Sequence, residues 1–296
     1  MTQVVYPGIV STIGDTPLLE TTGLIAGFQS RIYVKLERHN PGGSIEDRTA
    51  LSLVRTALQR GAAVPGSSLA VEICSPERAV SLAQVCRYYG IAFLALLKGA
   101  PEPYRSLLTA YGADFEVLAP GTAHGRLAHL LATDPRALCP SSGAGPRGTG
   151  GTGVTSGDSA LMREIAEALE GRVDLVLCEL DHPRTLGGCA EYARTQGLAT
   201  TVVGVVRAPA SLPCGPLTVP FGVDEVVRVR PEDAARMRGR LLHREGLLAD
   251  TAAGAGAAAL LSLARRIPAG SNCVIVSPSG GDRCPENFEH KDATPC

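Results

Sequence analysis

KLERHNPGGSIEDR, from Lys35 to Arg48, joins two kinds of periodicity. On its upstream side RIYVKLE, Arg31 to Glu37, is a short apolar run with β-branched and aromatic residues, which predicts a strand. On its downstream side Arg48 to Arg60 sets Leu51, Val54 and Leu58 on one face, which predicts a helix. A strand feeding a helix through this stretch is the unit from which the rest of the chain is read.

The same alternation runs outward from it. Strands are predicted at Ser68 to Ile73, Ala92 to Leu97, Asp114 to Leu118, Val173 to Cys178, Thr200 to Val206 and Cys273 to Ser277. Helices are predicted at Pro76 to Tyr89, Pro101 to Tyr111, Ser159 to Leu169, Leu186 to Thr195, Pro231 to Arg244 and Gly254 to Arg266. Alternating strands and helices imply an α/β protein whose parallel sheets are covered on both faces. SSGAGPRGTGGTGVTSG, Ser141 to Gly157, breaks the alternation and reads as a mobile or interdomain segment. The expected division is residues 1–40 plus 158–296 for a larger α/β domain and 41–157 for a smaller one.

The chain has 296 residues, enough for one large or two modest domains. A net charge of −1 argues against nucleic acid or an anionic membrane as the main partner. No apolar run approaches the length of a membrane span, and Met1 to Thr12 has no signal-peptide pattern. The nine cysteines include no CxxC pair, which points to a reducing cytoplasm. The lysines are Lys35, Lys98 and Lys291 alone, an arginine-rich bias that suggests a GC-rich bacterial genome.

Several stretches together resemble the cysteine synthases (O-acetylserine sulfhydrylases) among the fold-type II pyridoxal-phosphate enzymes. They are IGDTPL at Ile13 to Leu18, NPGGSIEDR at Asn40 to Arg48, YRSLLTAYGADFEVL at Tyr104 to Leu118, GVDEVVRVRPEDA, REGLLADTAAGAGAA, and SGGDR at Ser279 to Arg283. The resemblance implies a two-domain, tryptophan synthase β-like fold, a pyridoxal phosphate cofactor and a homodimer.

Four positions depart from the pattern that the resemblance implies. The family's Schiff-base lysine is matched by Glu46, and a carboxylate forms no imine. The family's phosphate loop after a strand is matched by Glu179 to Thr185, where Pro183 lacks an N–H, Asp181 repels an anion and Arg184 attracts one only by its side chain. A GTGGTGVTSG string does occur at Gly148 to Gly157, but without a preceding strand it reads as a loop. The substrate-carboxylate loop is matched by Cys74, Ser75, Pro76, Glu77, Arg78 and Ala79, where Ser75 and Pro76 form a helix-start signal and Glu77 opposes a carboxylate. The residue matching the family's ring-nitrogen contact is Gly280, with Ser279 one position away. The expectation is a chain that carries no cofactor, with pyridoxal phosphate not covalently bound, and no metal.

The sequence leaves two functions in competition. One is a pseudoenzyme that serves as a ligand- or partner-binding scaffold, with a homodimer, an intact cysteine-synthase paralogue, a pathway enzyme or a small polar metabolite as partner. The family's capture of an acetyltransferase C-terminus is disfavoured by Glu77. The other is a repurposed, cofactor-independent enzyme of bacterial specialised metabolism, with Glu46, Glu77, Asp181 and His182 as acid–base groups in a cleft between the domains. Cys74, Ser75, Arg78, Arg184, Thr185 and Ser279 are the candidate ligand-binding residues. Cys284, in RCPEN, stands where the family has a tyrosine.

Overall fold

The computed structural model describes residues 5–142, 156–208 and 219–283. In chain order its elements are β1 (Leu18–Thr21), β2 (Arg31–Leu36), α1 (Glu46–Gln59), β3 (Leu69–Ile73), α2 (Pro76–Tyr88), β4 (Ala92–Leu97), α3 (Tyr104–Ala110), β5 (Asp114–Val117), α4 (Ala123–Thr133) and β6 (Ala137–Leu138). There follow α5 (Ser156–Ala168), β7 (Leu175–Glu179), α6 (Pro183–Thr195), β8 (Thr201–Arg207), β9 (Glu225–Val229), α7 (Pro231–Glu245), α8 (Thr251–Leu263) and β10 (Asn272–Ser277). Two compact units result: Met1–Gly14 with Asn40–Gly157, and Asp15–His39 with Asp158–Cys296.

The first unit holds a sheet in the order β5-β4-β3-β6, parallel throughout. The β4 sequence AFLALL is buried after its first residue, as a parallel strand covered on both faces requires. On one face α1 and α2 bring Val54, Leu82 and Val85 against Phe93, Ala95 and Leu97. On the other, Leu127, Leu130 and Leu131 of α4 pack on Val71, Leu94 and Leu96.

The second unit holds a sheet in the order β1-β2-β10-β7-β8-β9, with β1 antiparallel to β2 and the remaining pairs parallel. Its core depends on how closely α8 approaches its neighbours. A Cβ on Gly256 would stand 2.7 Å from Ile275 Cγ2 of β10, and one on Gly254 would run into the Ala234 carbonyl of α7. Only small residues let α8 lie so close, and the sequence TAAGAGAAALLSL supplies them. Leu260, Leu263 and Ile275 are buried there, each contributing about 1.5–3 kcal/mol of transfer free energy.

The alternation expected from sequence is the observed one, with parallel sheets covered by helices. Among the described residues four strands and α-helices are additional: β1, α4, β6 and β9. Four helices also start earlier than the sequence indicates, α1 at Glu46, α5 at Ser156, α6 at Pro183 and α8 at Thr251. Glu46, Arg184 and Thr185 therefore lie on helices. Residues 143–155 of the glycine-rich stretch, together with Cys284, His290 and Lys291, lie outside the described residues.

Candidate functional site

In the first unit the NPGGS loop delivers the chain into α1. Gly14 N–H donates to Asn40 Oδ1 at 2.9 Å, which anchors the start of the loop. The Asp47 carboxylate, buried, accepts from Gly42 N–H and from the Ser81 hydroxyl of α2. A Cβ at Gly42 would collide with that carboxylate. Gly42→Ala is accordingly expected to cost about 2 kcal/mol, read as a lower urea midpoint.

One residue earlier, Glu46 is 4% exposed and paired. Arg78 Nε donates to its Oε2 at 2.7 Å and Arg78 Nη2 to its Oε1 at 3.2 Å. Burial would push the Arg78 guanidinium down, but its bonds to Glu46 overcome this and hold it above its ordinary value. The starts of α1 and α2 are thus clasped twice, by Glu46 with Arg78 and by Asp47 with Ser81.

The start of α2 is built as the sequence predicts. Ser75 is the N-cap, its Oγ accepting from Arg78 N–H at 3.3 Å, and Pro76 opens the helix. Ser75→Ala is expected to lower stability by about 1 kcal/mol, measured by the same denaturation. Glu77 sits in the first turn, where a carboxylate suits the positive helix end, and accepts from the Tyr104 hydroxyl at 3.4 Å. Burial pushes the Cys74 thiol up, with Glu72 adding to it, which disfavours its thiolate.

The second unit positions the other candidates. Asp181 is exposed, and His182 is the N-cap of α6 without a side-chain capping bond. Arg184 is half-buried and Thr185 buried in the first turn of that helix, behind Pro183. Ser279 is buried, its N–H donating to Asp250 Oδ2 at 2.6 Å and its hydroxyl to the same oxygen at 3.0 Å. Asp250 caps α8 through Ala253 N–H at 2.8 Å. Burial pushes its carboxyl up to about 6, against these hydrogen bonds.

Glu46, Cys74, Ser75, Glu77 and Arg78 therefore cluster around two helix starts of the first unit, whereas Asp181, His182, Arg184, Thr185 and Ser279 belong to the second. Sequence reasoning missed Asp47 and Asp250. For Asp250 a signal was present, since Asp followed by Thr-Ala-Ala is an N-cap pattern. Among the described residues no group of three His, Cys, Asp or Glu side chains is placed to hold a metal ion. No described helix is long and apolar enough to cross a membrane.

The fold and these helix-start loops define an α/β protein of the fold-type II pyridoxal-phosphate class. Residues 9–279 match the family described as pyridoxal-phosphate dependent enzyme, and the chain belongs to that family, on its cysteine synthase side. It is 31% identical to N-(2-amino-2-carboxyethyl)-L-glutamate synthase of Ralstonia nicotianae over 93% of this chain and 87% of that one. It is 29% identical to cysteine synthase 3 of Caenorhabditis elegans over 86% and 81%. Among solved structures, O-ureido-L-serine synthase superposes with a TM-score of 0.82 at 25% identity, covering 99% of this chain and 98% of that one.

These findings correct the expectation that the chain takes no cofactor. The family is pyridoxal-phosphate dependent, cysteine synthases are among the relatives, and pyridoxal phosphate is the cofactor that the family implies. The residues at the positions carried over by resemblance do not fit the way the family holds it. By that resemblance the position of the family's imine-forming lysine falls on Glu46, a carboxylate that Arg78 grips. At Gly280 a side chain would run into Asp282 and meet the Arg38 guanidinium at 3.3 Å, while the neighbouring Ser279 hydroxyl is engaged by Asp250.

Proposed function

We propose that this chain is a cysteine-synthase-family pseudoenzyme, a scaffold that binds a partner protein or a small polar ligand and does not itself run the family's β-replacement reaction. The observation that carries this reading is the Glu46–Arg78 ion pair. It places a satisfied, structurally integrated carboxylate where the resemblance requires an amine. Such a pair favours a fixed local structure over a group that moves protons.

The arginine-rich bias and the cysteine usage add a bacterial, cytoplasmic protein, and the resemblance adds one that self-associates as a homodimer or pairs with an intact cysteine synthase. Co-expression of the tagged chain with an untagged cysteine synthase tests it. A stoichiometric complex, either with a second copy or with the intact enzyme, is the expected result. Recovery of the tagged chain as a monomer under all conditions would count against it.

A further inference from the structure

The surface formed by β9, α7 and α8 in the second unit carries a cavity of about 330 Å3. Its wall includes Arg228, Arg230 and Arg236, with Asp233 as the only acidic residue among the described residues lining it. Three guanidiniums against one carboxylate leave the wall with a net charge of +2.

The arrangement has a local cause. Arg228 and Arg230 are two residues apart, and the backbone at Arg230 is still extended, with φ −71 and ψ 143. Both residues line the cavity. Asp233, in the first turn of α7, takes Arg230 Nε at 2.7 Å on one oxygen and Arg236 Nη1 at 3.1 Å on the other. A single carboxylate thus fixes two guanidiniums side by side. Glu232 acts on Arg230 as well but does not line the cavity. Among the described residues Arg228 has no ion-pair partner, although it is exposed beside this cluster.

The base of the cavity is apolar. Val229, Met237 and Ala258 are buried, while Leu261 presents an exposed apolar side chain at its edge. Guanidinium groups match the oxygens of phosphate with paired, charge-assisted hydrogen bonds. A volume of this size suits a small metabolite rather than a macromolecule. We propose that this cavity binds a small phosphorylated molecule with an apolar or aromatic body, the phosphate meeting Arg228, Arg230 and Arg236 and the body lying on Met237, Ala258 and Leu261. The proposal does not depend on Glu46 or Arg78.

Calorimetric titration of the full chain with adenosine monophosphate, and separately with inorganic phosphate, tests it. Adenosine monophosphate is expected to bind saturably at one site per chain, more tightly than inorganic phosphate, and more weakly as salt rises. Arg228→Gln is expected to weaken that binding about tenfold, the scale of one lost charge-assisted contact, with the unfolding midpoint unchanged because the side chain is exposed. Arg172→Gln, at an exposed arginine that pairs with Glu170, is the control and is expected to bind as the unaltered chain does. The proposal is overturned by no saturable binding of either probe at millimolar concentration, by unchanged binding in Arg228→Gln, or by an equal loss in the control. Phosphate alone binding as tightly as the nucleotide would overturn the assignment of an apolar body.

Discussion

Glu46→Ala is expected to lower the stability of the chain by about 3 kcal/mol at neutral pH. Glu46 is 4% exposed and both of its oxygens accept from Arg78, so truncation leaves a guanidinium beside an apolar methyl and a void. Removing one partner of a buried pair strands the other charge, which is why the loss exceeds the net worth of the pair. The figure lies at the lower end for such changes because the Arg78 side chain is 27% exposed and recovers some hydration. The double variant Glu46→Leu with Arg78→Met is expected to regain most of the loss, since two apolar side chains of similar volume fill the same space. Urea unfolding of the three proteins measures this. A single variant as stable as the unaltered chain would show that the pair holds nothing together.

The second large effect concerns pH. In the folded chain burial holds the Asp250 carboxyl at about 6, with Glu179 adding to the same direction, against an ordinary value of 3.8. Because the folded value is raised, the folded chain keeps a proton between pH 3.8 and about 6 that the unfolded chain releases. The stability that this group contributes is therefore complete below pH 3.8 and is lost as pH rises through about 6. The difference amounts to about 3 kcal/mol. Asp250→Asn keeps a competent N-cap for α8 but does not titrate. The stability advantage of the unaltered chain over Asp250→Asn is expected to shrink by about this amount between pH 4 and pH 7. An advantage that grows over that range would reverse the assignment.

Much of this architecture was legible in local sequence, because local sequence decides it. The β7 and β10 segments are continuous apolar runs, as strands covered on both faces must be. Ser75 with Pro76 marks the start of α2, and the structure places the cap there. The same logic applied to His182 and Pro183 would have started α6 a turn earlier, but the apolar periodicity beginning at Leu186 drew the reading downstream. In α4 the positions Leu127, Leu130 and Leu131 carry a helical signal, diluted by His124, Gly125 and His129. The short edge strand β1 is only partly buried and therefore lacks a strong pattern.

Pairings between distant segments were less accessible. Glu46 was picked out by resemblance, but its partner Arg78 lies 32 positions away, and no periodicity connects them. The same is true of Lys35, buried against Glu164 at 2.7 Å across 129 positions, and of Asp250 with Ser279. Expectations about the cofactor went astray for a different reason. They were argued from individual contacts, whereas the match over residues 9–279 speaks for the whole chain and implies pyridoxal phosphate.

The claim on which the functional reading stands is that an acidic, arginine-bound residue 46 does not support the family's chemistry. Its most direct test is cysteine formation by the purified chain from O-acetylserine and sulfide, with pyridoxal phosphate supplied in excess. The account predicts no turnover above the protein-free background, whether residue 46 is Glu or Gln. Sustained cysteine production by the unaltered chain, lost in Glu46→Gln, would contradict it.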